Sequence, residues 1–215
     1  MKSFFKKYNH AWPLLYIFIY APWFLWLEQR QVTYTLLHTK FDDLIPFSEY
    51  FVIPYFLWFL YIPVIVLFFF FKSKTEFYKL AQILFIGMSI CLLICTVWPN
   101  AQPLRVNLEG KDNIFVNAVS ALYTADTSTN VFPSIHSYNS LVCTIAIFKS
   151  ELLKNKRWVK YSSLILTTFI CLSTMFLKQH SVLDVLGAMA LAGIMYTFVY
   201  VLSEVRAASQ VKNFN

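Results

Sequence analysis

Long apolar segments recur along this chain, separated by shorter polar and charged ones. They lie at 11–27, 50–71, 80–98, 134–149, 161–177 and 182–203. Each is about 16 to 22 residues long, and a helix needs roughly 20 apolar residues to cross a bilayer. The pattern predicts an all-α membrane protein, a bundle of six transmembrane helices forming one domain over residues 1–215. The fourth segment is the weakest, because it spans only if its helix begins at the Pro133-Ser134 turn.

The composition favours a membrane protein over a soluble one. Hydrophobic residues make up 58% of the chain and charged residues 13%, whereas a soluble domain averages about 25% charged residues. Lys2, Lys6 and Lys7 before the first apolar segment resemble the start of a secretory signal. The segment is too long and too aromatic for a signal and lacks a small-residue cleavage site, so we expect it to be retained as the first helix.

Basic residues concentrate on one side of the predicted bundle. With six spans, both termini share a side with the loops 72–79 and 149–160. This side holds 13 of the 18 Lys and Arg residues, and the other side keeps Arg30, Lys40, Arg105, Lys111 and Lys178. The positive-inside rule predicts cytoplasmic termini in the cell membrane. Nucleic acid is not an expected partner, because no basic stripe is interleaved with exposed aromatic residues.

The long outer loop 99–133 leaves two interpretations open. Helical spacing runs through Ile114, Phe115, Val119, Leu122 and Tyr123. The segment fits an amphipathic helix lying on the outer membrane interface. It fits equally a folded cover with a few buried apolar residues.

Other chemistry-bearing residues give weaker patterns. The four cysteines all lie inside apolar segments, which indicates small buried hydrophobic residues. Asp42, Asp43 and Glu49 lie in the first outer loop without metal-ligand spacing. We interpret these three as a solvated or interfacial acidic cluster, and we expect no metal ion and no cofactor.

His180 and Asp184 form the first candidate catalytic pair. If the last helix begins near Lys178, the two residues are four apart and share a helix face. A carboxylate about one turn below the membrane interface is costly unless it is paired, and its natural partner is the Nδ1–H of His180. This contact would leave Nε2 free as a nucleophile or base. A structural pair that locks the helix end fits the same residues.

His136 is the second candidate, in the first turn of the helix predicted after Pro133 and Ser134. Ser134 suits the N-cap position. A helix N-terminus offers unpaired N–H groups to a phosphate, and a histidine there can donate a proton to a leaving oxygen. An incidental interfacial histidine is the alternative.

Arg105 and Lys178 are the candidate cations on the predicted outer side. An anionic substrate needs such groups to neutralise its oxygens, although each residue could instead snorkel at the interface. The chain has only four histidines. Two of them, His136 and His180, are the candidates above, and charge counting puts both on the outer side. The four residues together therefore indicate an anion site more strongly than any one of them alone.

Two segments resemble signature motifs of the type 2 phosphatidic acid phosphatase (PAP2) superfamily. The segment 133–137 (PSIHS) is similar to the second motif and 180–184 (HSVLD) to the third. Motif order, spacing and six-span layout agree as well, so the resemblance covers nearly the whole chain. It implies a metal-independent reaction in which His180 attacks phosphorus, Asp184 orients it and His136 protonates the leaving alcohol. Water then cleaves the phosphohistidine.

The sequence also departs from the family pattern. Arg105 matches the arginine of the first motif, but Val106 replaces its proline and Trp98 its lysine. Thr174 stands where the third motif usually has an arginine, and Lys178 is a candidate for the missing charge. The segment 173–184 is similar to the branch that includes inositol phosphorylceramide synthases, which transfer head groups between lipid alcohols.

We therefore expect a lipid phosphatase whose active site lies at the outer membrane face. Its substrate would be a phosphate or diphosphate monoester of a long-chain lipid, with catalytic His180, His136 and Asp184, and with Arg105, Lys178 and Ser134 binding phosphate. A phospholipid head-group transferase and a non-catalytic lipid-binding or transport protein are the alternatives. The oligomeric state is not predicted.

Overall fold

The computed structural model describes residues 8–204, most of which are helical. A 3₁₀-helix, Asn9–Tyr16, leads into α1 (Ile17–Gln29), and a second short one, Glu49–Phe51, precedes α3. The remaining helices are α2 (Lys40–Leu44), α3 (Val52–Lys72), α4 (Lys74–Val97), α5 (Ile114–Ala125), α6 (Ile135–Lys149), α7 (Arg157–Phe176) and α8 (Val182–Tyr196), the last continued by a π-helix, Thr197–Val201. Five of the basic residues used to predict orientation lie outside the described residues, namely Lys2, Lys6, Lys7, Arg206 and Lys212.

Five of the six predicted spans are helices long and apolar enough to cross a membrane. Within residues 8–204 these are Asn9–Gln29, Glu49–Lys72, Lys74–Val97, Arg157–Phe176 and Val182–Glu204. Large apolar side chains such as Phe18, Leu60 and Phe198 point away from the protein. Such surfaces suit lipid better than water, which indicates a multi-pass membrane protein.

The fourth predicted span, 134–149, is the one that helix length does not confirm. The segment is helical, but α6 has only 15 residues, about 22 Å of helix, against the roughly 20 residues of a typical span. It lies at the centre of the bundle, in contact with α3, α4, α7 and α8. Protein therefore surrounds most of it, and Ser140, Thr144 and other polar side chains are buried there.

Short connections define one end of the bundle, which we call the basic end (72–79 and 149–160). Ser73 alone separates α3 from α4, and its hydroxyl accepts a hydrogen bond from Glu76 N at 3.3 Å. Lys149, at the end of α6, pairs with Glu204 at 3.1 Å. The helix that ends at Glu204 therefore reaches the same end as α6.

A small two-stranded sheet at the opposite end adds to this mostly helical fold. Strand β1 (Thr35–Leu36) pairs in parallel with β2 (Asn100–Ala101), and Ala101 forms an isolated bridge with Thr129. These contacts tie together the two long loops that were predicted to lie outside.

The helical spacing in the long loop is confirmed as α5, which packs on the bundle as a cover. Val119 and Leu122 are buried in a cluster with Tyr55 and Leu177, whereas Ile114 is exposed. Of the two interpretations left open for this segment, these contacts support the folded cover.

Candidate active site

The two motif histidines lie close together at the end of the bundle that carries the small sheet. His136 occupies the first turn of α6, and His180 lies two residues before α8. Their ring centroids are 5.8 Å apart. Both residues line one cavity of about 430 Å³, which we call the histidine cavity.

The start of α8 fixes His180 against Asp184. Ser181 is the N-cap and Asp184 completes a capping box, so Oδ2 of Asp184 accepts a hydrogen bond from Ser181 N at 2.9 Å. The same oxygen is 3.2 Å from Nδ1 of His180. An ionised carboxylate can only accept, so this contact favours the tautomer with the proton on Nδ1, in which Nε2 has a free lone pair. The predicted pair is therefore present, with Asp184 fully buried.

The imidazole of His136 is packed among aromatic rings. Ser134 is the N-cap of α6, as predicted, and its hydroxyl accepts a hydrogen bond from Ser137 N at 3.3 Å. The rings of Tyr55 and Trp58 contact the imidazole, with centroids 4.7 and 4.5 Å away. Ser134 itself is completely buried and lies outside the lining of the histidine cavity, so in this structure its hydroxyl caps the helix.

Arg105 lies one layer behind the cavity. Its guanidinium donates to the backbone oxygens of Tyr123 and Asp126 and to Oε1 of Gln179, and it lies over the ring of Tyr123 at 4.5 Å. Burial lowers the pKa of Arg105, against the opposing effect of Asp126. The residue is close to the predicted site without lining the cavity.

Lys178 is not brought together with the histidines. It adopts a left-handed backbone conformation, with φ of 56°, in the tight turn between α7 and α8. Its ammonium donates to the carbonyl oxygens of Asp42 at 2.8 Å and Ile45 at 2.5 Å. The lysine therefore holds the first loop against this turn and does not reach the cavity lining.

The lining of the histidine cavity is aromatic and acidic. Tyr20, Phe24, Trp58 and Phe59 form much of its apolar wall, and Glu28 and Asp126 contribute carboxylates. No lysine or arginine lines it within the part of the chain that the structure describes. The sequence predicts that Arg105 and Lys178 bind phosphate. In this structure their charged groups instead bond to backbone carbonyls and, for Arg105, also to Gln179.

Asp42 is buried, whereas the sequence predicts that it belongs to a solvated or interfacial acidic cluster. Its side chain is 2% exposed and accepts hydrogen bonds from Ser181 Oγ and Val182 N, each at 2.7 Å. Burial would raise the pKa of Asp42, but these bonds and those from Thr39 outweigh it, and the pKa is lowered. Asp42 thus caps α8 next to His180, and it lies 139 positions from Ser181 in the sequence.

Gln179 is the other residue that the sequence analysis missed. It precedes His180, lines the histidine cavity and is 2% exposed. It lies inside the segment 173–184 that resembles the inositol phosphorylceramide synthase branch, but the resemblance assigns it no role. Among residues 8–204, no group of three or more His, Cys, Asp or Glu side chains is arranged to hold a metal ion.

Fold and site together describe a multi-pass helical membrane protein with two histidines lining one cavity. The family model of the PAP2 superfamily matches residues 32–198, and the chain belongs to this superfamily. The match includes both histidine motifs and does not distinguish a branch within the superfamily. A search of the curated proteins and a search of the solved structures found no match.

Proposed function

We propose that this protein is a membrane lipid phosphatase that works through a phosphohistidine intermediate at the outer membrane face. The observation that carries the proposal is the geometry of His180, whose Nδ1 is anchored by Asp184 and whose ring faces His136 across 5.8 Å. The separation allows one phosphoryl group to contact both rings. Membership of the PAP2 superfamily supports phosphatase-like chemistry on a lipid.

The proposed reaction has two steps. Nε2 of His180 attacks phosphorus, the bond from phosphorus to the lipid oxygen breaks, and protonated His136 gives its proton to the leaving alkoxide. Water then attacks the phosphohistidine, giving a proton to His136, and the phosphorus–nitrogen bond breaks to release phosphate. Asp184 stabilises the positive charge that develops on the His180 ring in the first step.

The proposed substrate is a phosphate or diphosphate monoester on a long-chain lipid, such as phosphatidic acid, phosphatidylglycerol phosphate or undecaprenyl diphosphate. The aromatic wall formed by Tyr20, Phe24 and Phe59 suits the apolar part of such a molecule. The lipid would approach sideways between helices from the bilayer.

Replacement of His180 tests the nucleophile. We expect purified His180→Ala to lose lipid phosphatase activity and acid-labile labelling by ³²P-lipid phosphate, while its melting temperature stays near that of the wild type. His38→Ala is the matched control, because His38 is half-exposed, pairs with Asp43 and lies outside the cavity. Unchanged hydrolysis by His180→Ala would contradict the proposal.

A head-group transferase is the second candidate, and the acidic lining favours it. Glu28 and Asp126, with no lysine or arginine among the described lining residues, disfavour a dianionic monoester more than a singly charged phosphodiester. In a transferase, a lipid alcohol takes the place of water in the second step. Incubating the enzyme with a phosphodiester lipid and candidate alcohols distinguishes the two, since hydrolysis releases a free phosphorylated head group and transfer forms a new phospholipid.

A non-catalytic lipid-binding or transport protein is the remaining alternative. Lipid binding or flipping that survives loss of both His136 and His180, without turnover by the wild type, would favour it. A double variant, His136→Ala with His180→Ala, assayed beside the wild type therefore separates this hypothesis from the two enzymatic ones.

A further inference from the structure

We infer that the side-chain amide of Gln179 is a substrate-binding group, which donates a hydrogen bond from Nε2 to a phosphoryl oxygen. Arg105 acts as a positioning residue that holds this amide in the required orientation. The inference rests on the proposed function, since it names the group that meets the phosphate beside His180.

The backbone of Gln179 is fixed in the turn before α8. Its N–H donates to Thr174 O at 2.9 Å, and its carbonyl accepts from Gln102 Nε2 at 3.3 Å. The neighbouring His180 N–H donates to the same Thr174 oxygen at 3.0 Å. Gln179 and His180 are therefore presented to the histidine cavity by one rigid turn.

Arg105 determines which way the amide of Gln179 points. An amide has a donating and an accepting end, whereas a guanidinium can only donate. The contact of 2.7 Å from Arg105 to the side chain must therefore be to Oε1. Backbone oxygens of Tyr123 and Asp126 hold the guanidinium in place, so Nε2 is left as the free end.

Nε2 of Gln179 is buried and has no hydrogen-bond partner. Buried side-chain donors are nearly always paired in proteins, so an unpaired one on a residue that lines a cavity points to a ligand with an acceptor oxygen. The adjacent His180 makes a phosphoryl oxygen the natural candidate. Gln179 supplies a neutral donor in a cavity whose described lining contains neither lysine nor arginine.

This arrangement assigns Arg105 an indirect role. Its charge stabilises the oxygen end of the amide, which polarises the N–H groups at the other end. Arg105 therefore contributes to phosphate binding through Gln179 and not by touching the substrate.

Orthovanadate and inorganic phosphate are suitable probes, because they mimic the transferred group without a lipid tail. We expect Gln179→Met, which keeps the shape and removes the donor, to raise the inhibition constants of both by about tenfold or more. Gln179→Glu, which replaces the donor with a negative charge, should raise them further. Asn139→Leu is the control, since Asn139 is a buried amide with an unpartnered Oδ1 outside the cavity, and it should leave both constants unchanged.

A double-mutant cycle tests the role of Arg105. We expect Arg105→Ala to raise the orthovanadate inhibition constant in the wild-type background and to have little further effect in Gln179→Met, because the two residues act as one unit. Equal effects of Arg105→Ala in both backgrounds would show direct contact with the anion and overturn its positioning role. If Gln179→Glu does not fold, the inhibition constants of Gln179→Met alone test whether Gln179 binds the anion.

The outcome separates this inference from the proposed function. A wild-type protein that hydrolyses lipid phosphates, with Gln179→Met unchanged in its orthovanadate constant, overturns the inference and leaves the phosphatase intact. If the wild-type protein forms no phosphohistidine, the proposed phosphatase function is refuted. If orthovanadate binding still depends on Gln179 in that case, the inferred anion-binding role of Gln179 stands.

Discussion

At the scale of single residues, two carboxylates share the start of α8 and perform different tasks. Asp184 comes from the helix itself and anchors the His180 ring through Oδ2. Asp42 comes from the first long loop and accepts hydrogen bonds from Ser181 and Val182. The turn that carries His180 is thus held by a carboxylate of its own helix and by one from a distant loop.

Asp42→Asn should destabilise the protein at neutral pH by about 1–3 kcal/mol, because hydrogen bonds to a charged acceptor are replaced by weaker ones. The lowered pKa of Asp42 means that its contribution to stability is complete above about pH 4 and is lost as the pH falls through the folded-state value. Wild-type stability should therefore fall more steeply on acidification than that of Asp42→Asn. Thermal unfolding in detergent across this pH range measures both effects.

Asp43→Asn is the matched control for Asp42. Asp43 is exposed and contacts His38 at 2.8 Å, and exposed pairs contribute little to stability. If the two variants lose equal stability, the buried cap has no special role.

The residues that could be predicted from the sequence are those whose partners are close along the chain. His180 and Asp184 are four positions apart, so helical geometry brings these two side chains together. Ser134 caps a helix that begins at the next residue, which is equally local. Asp42 lies 139 positions from Ser181, and Arg105 lies 74 from Gln179. Contacts of that range depend on how helices pack, which no local pattern encodes.

At the scale of secondary structure, α6 shows why apolar length predicted five helices well and one poorly. A helix that faces lipid must be apolar, whereas a helix surrounded by protein can bury paired polar groups. Thr144 of α6 is 2.8 Å from Ser163 and 2.7 Å from Thr167, both on α7. Tyr61 of α3 contacts Thr144 at 3.0 Å. The composition of α6 thus reflects its central position.

The packing of α6 against α4 depends on Gly87. A methyl group at this position would lie 1.8 Å from the Tyr138 hydroxyl oxygen, and Tyr138 is fully buried and donates to Ile83 O at 2.5 Å. Gly87→Ala should therefore cost about 1–3 kcal/mol and lower the melting temperature. It should also reduce activity, because α6 carries His136.

Gly193→Ala in α8 provides the comparison for Gly87. A methyl group there meets nothing within 4 Å, and alanine is the better helix former, so the melting temperature should be unchanged or higher. A Gly87→Ala protein as stable as Gly193→Ala would mean that Tyr138 does not pack as described.

At the scale of the whole molecule, the two ends of the bundle differ in charge and in structure. The basic end carries short connections such as Ser73, and the other end carries the sheet, α5 and the histidine cavity. From the positive-inside rule we expect the basic end to lie in the cytoplasm. The histidine cavity would then open to the outer leaflet, which is the orientation that the proposed function uses.

Thiol labelling of intact cells tests this orientation. Glu109 lies in the loop before α5 and Lys154 at the basic end, and both are exposed. Of the native cysteines, Cys91, Cys95 and Cys143 are buried and Cys171 is partly so, so the wild type should label weakly. A membrane-impermeant maleimide should label Glu109→Cys on intact cells and Lys154→Cys only after permeabilisation. The reverse pattern would put the histidine cavity in the cytoplasm. Labelling of both from outside would mean that α6, despite its 15 residues, does not carry the chain across the membrane.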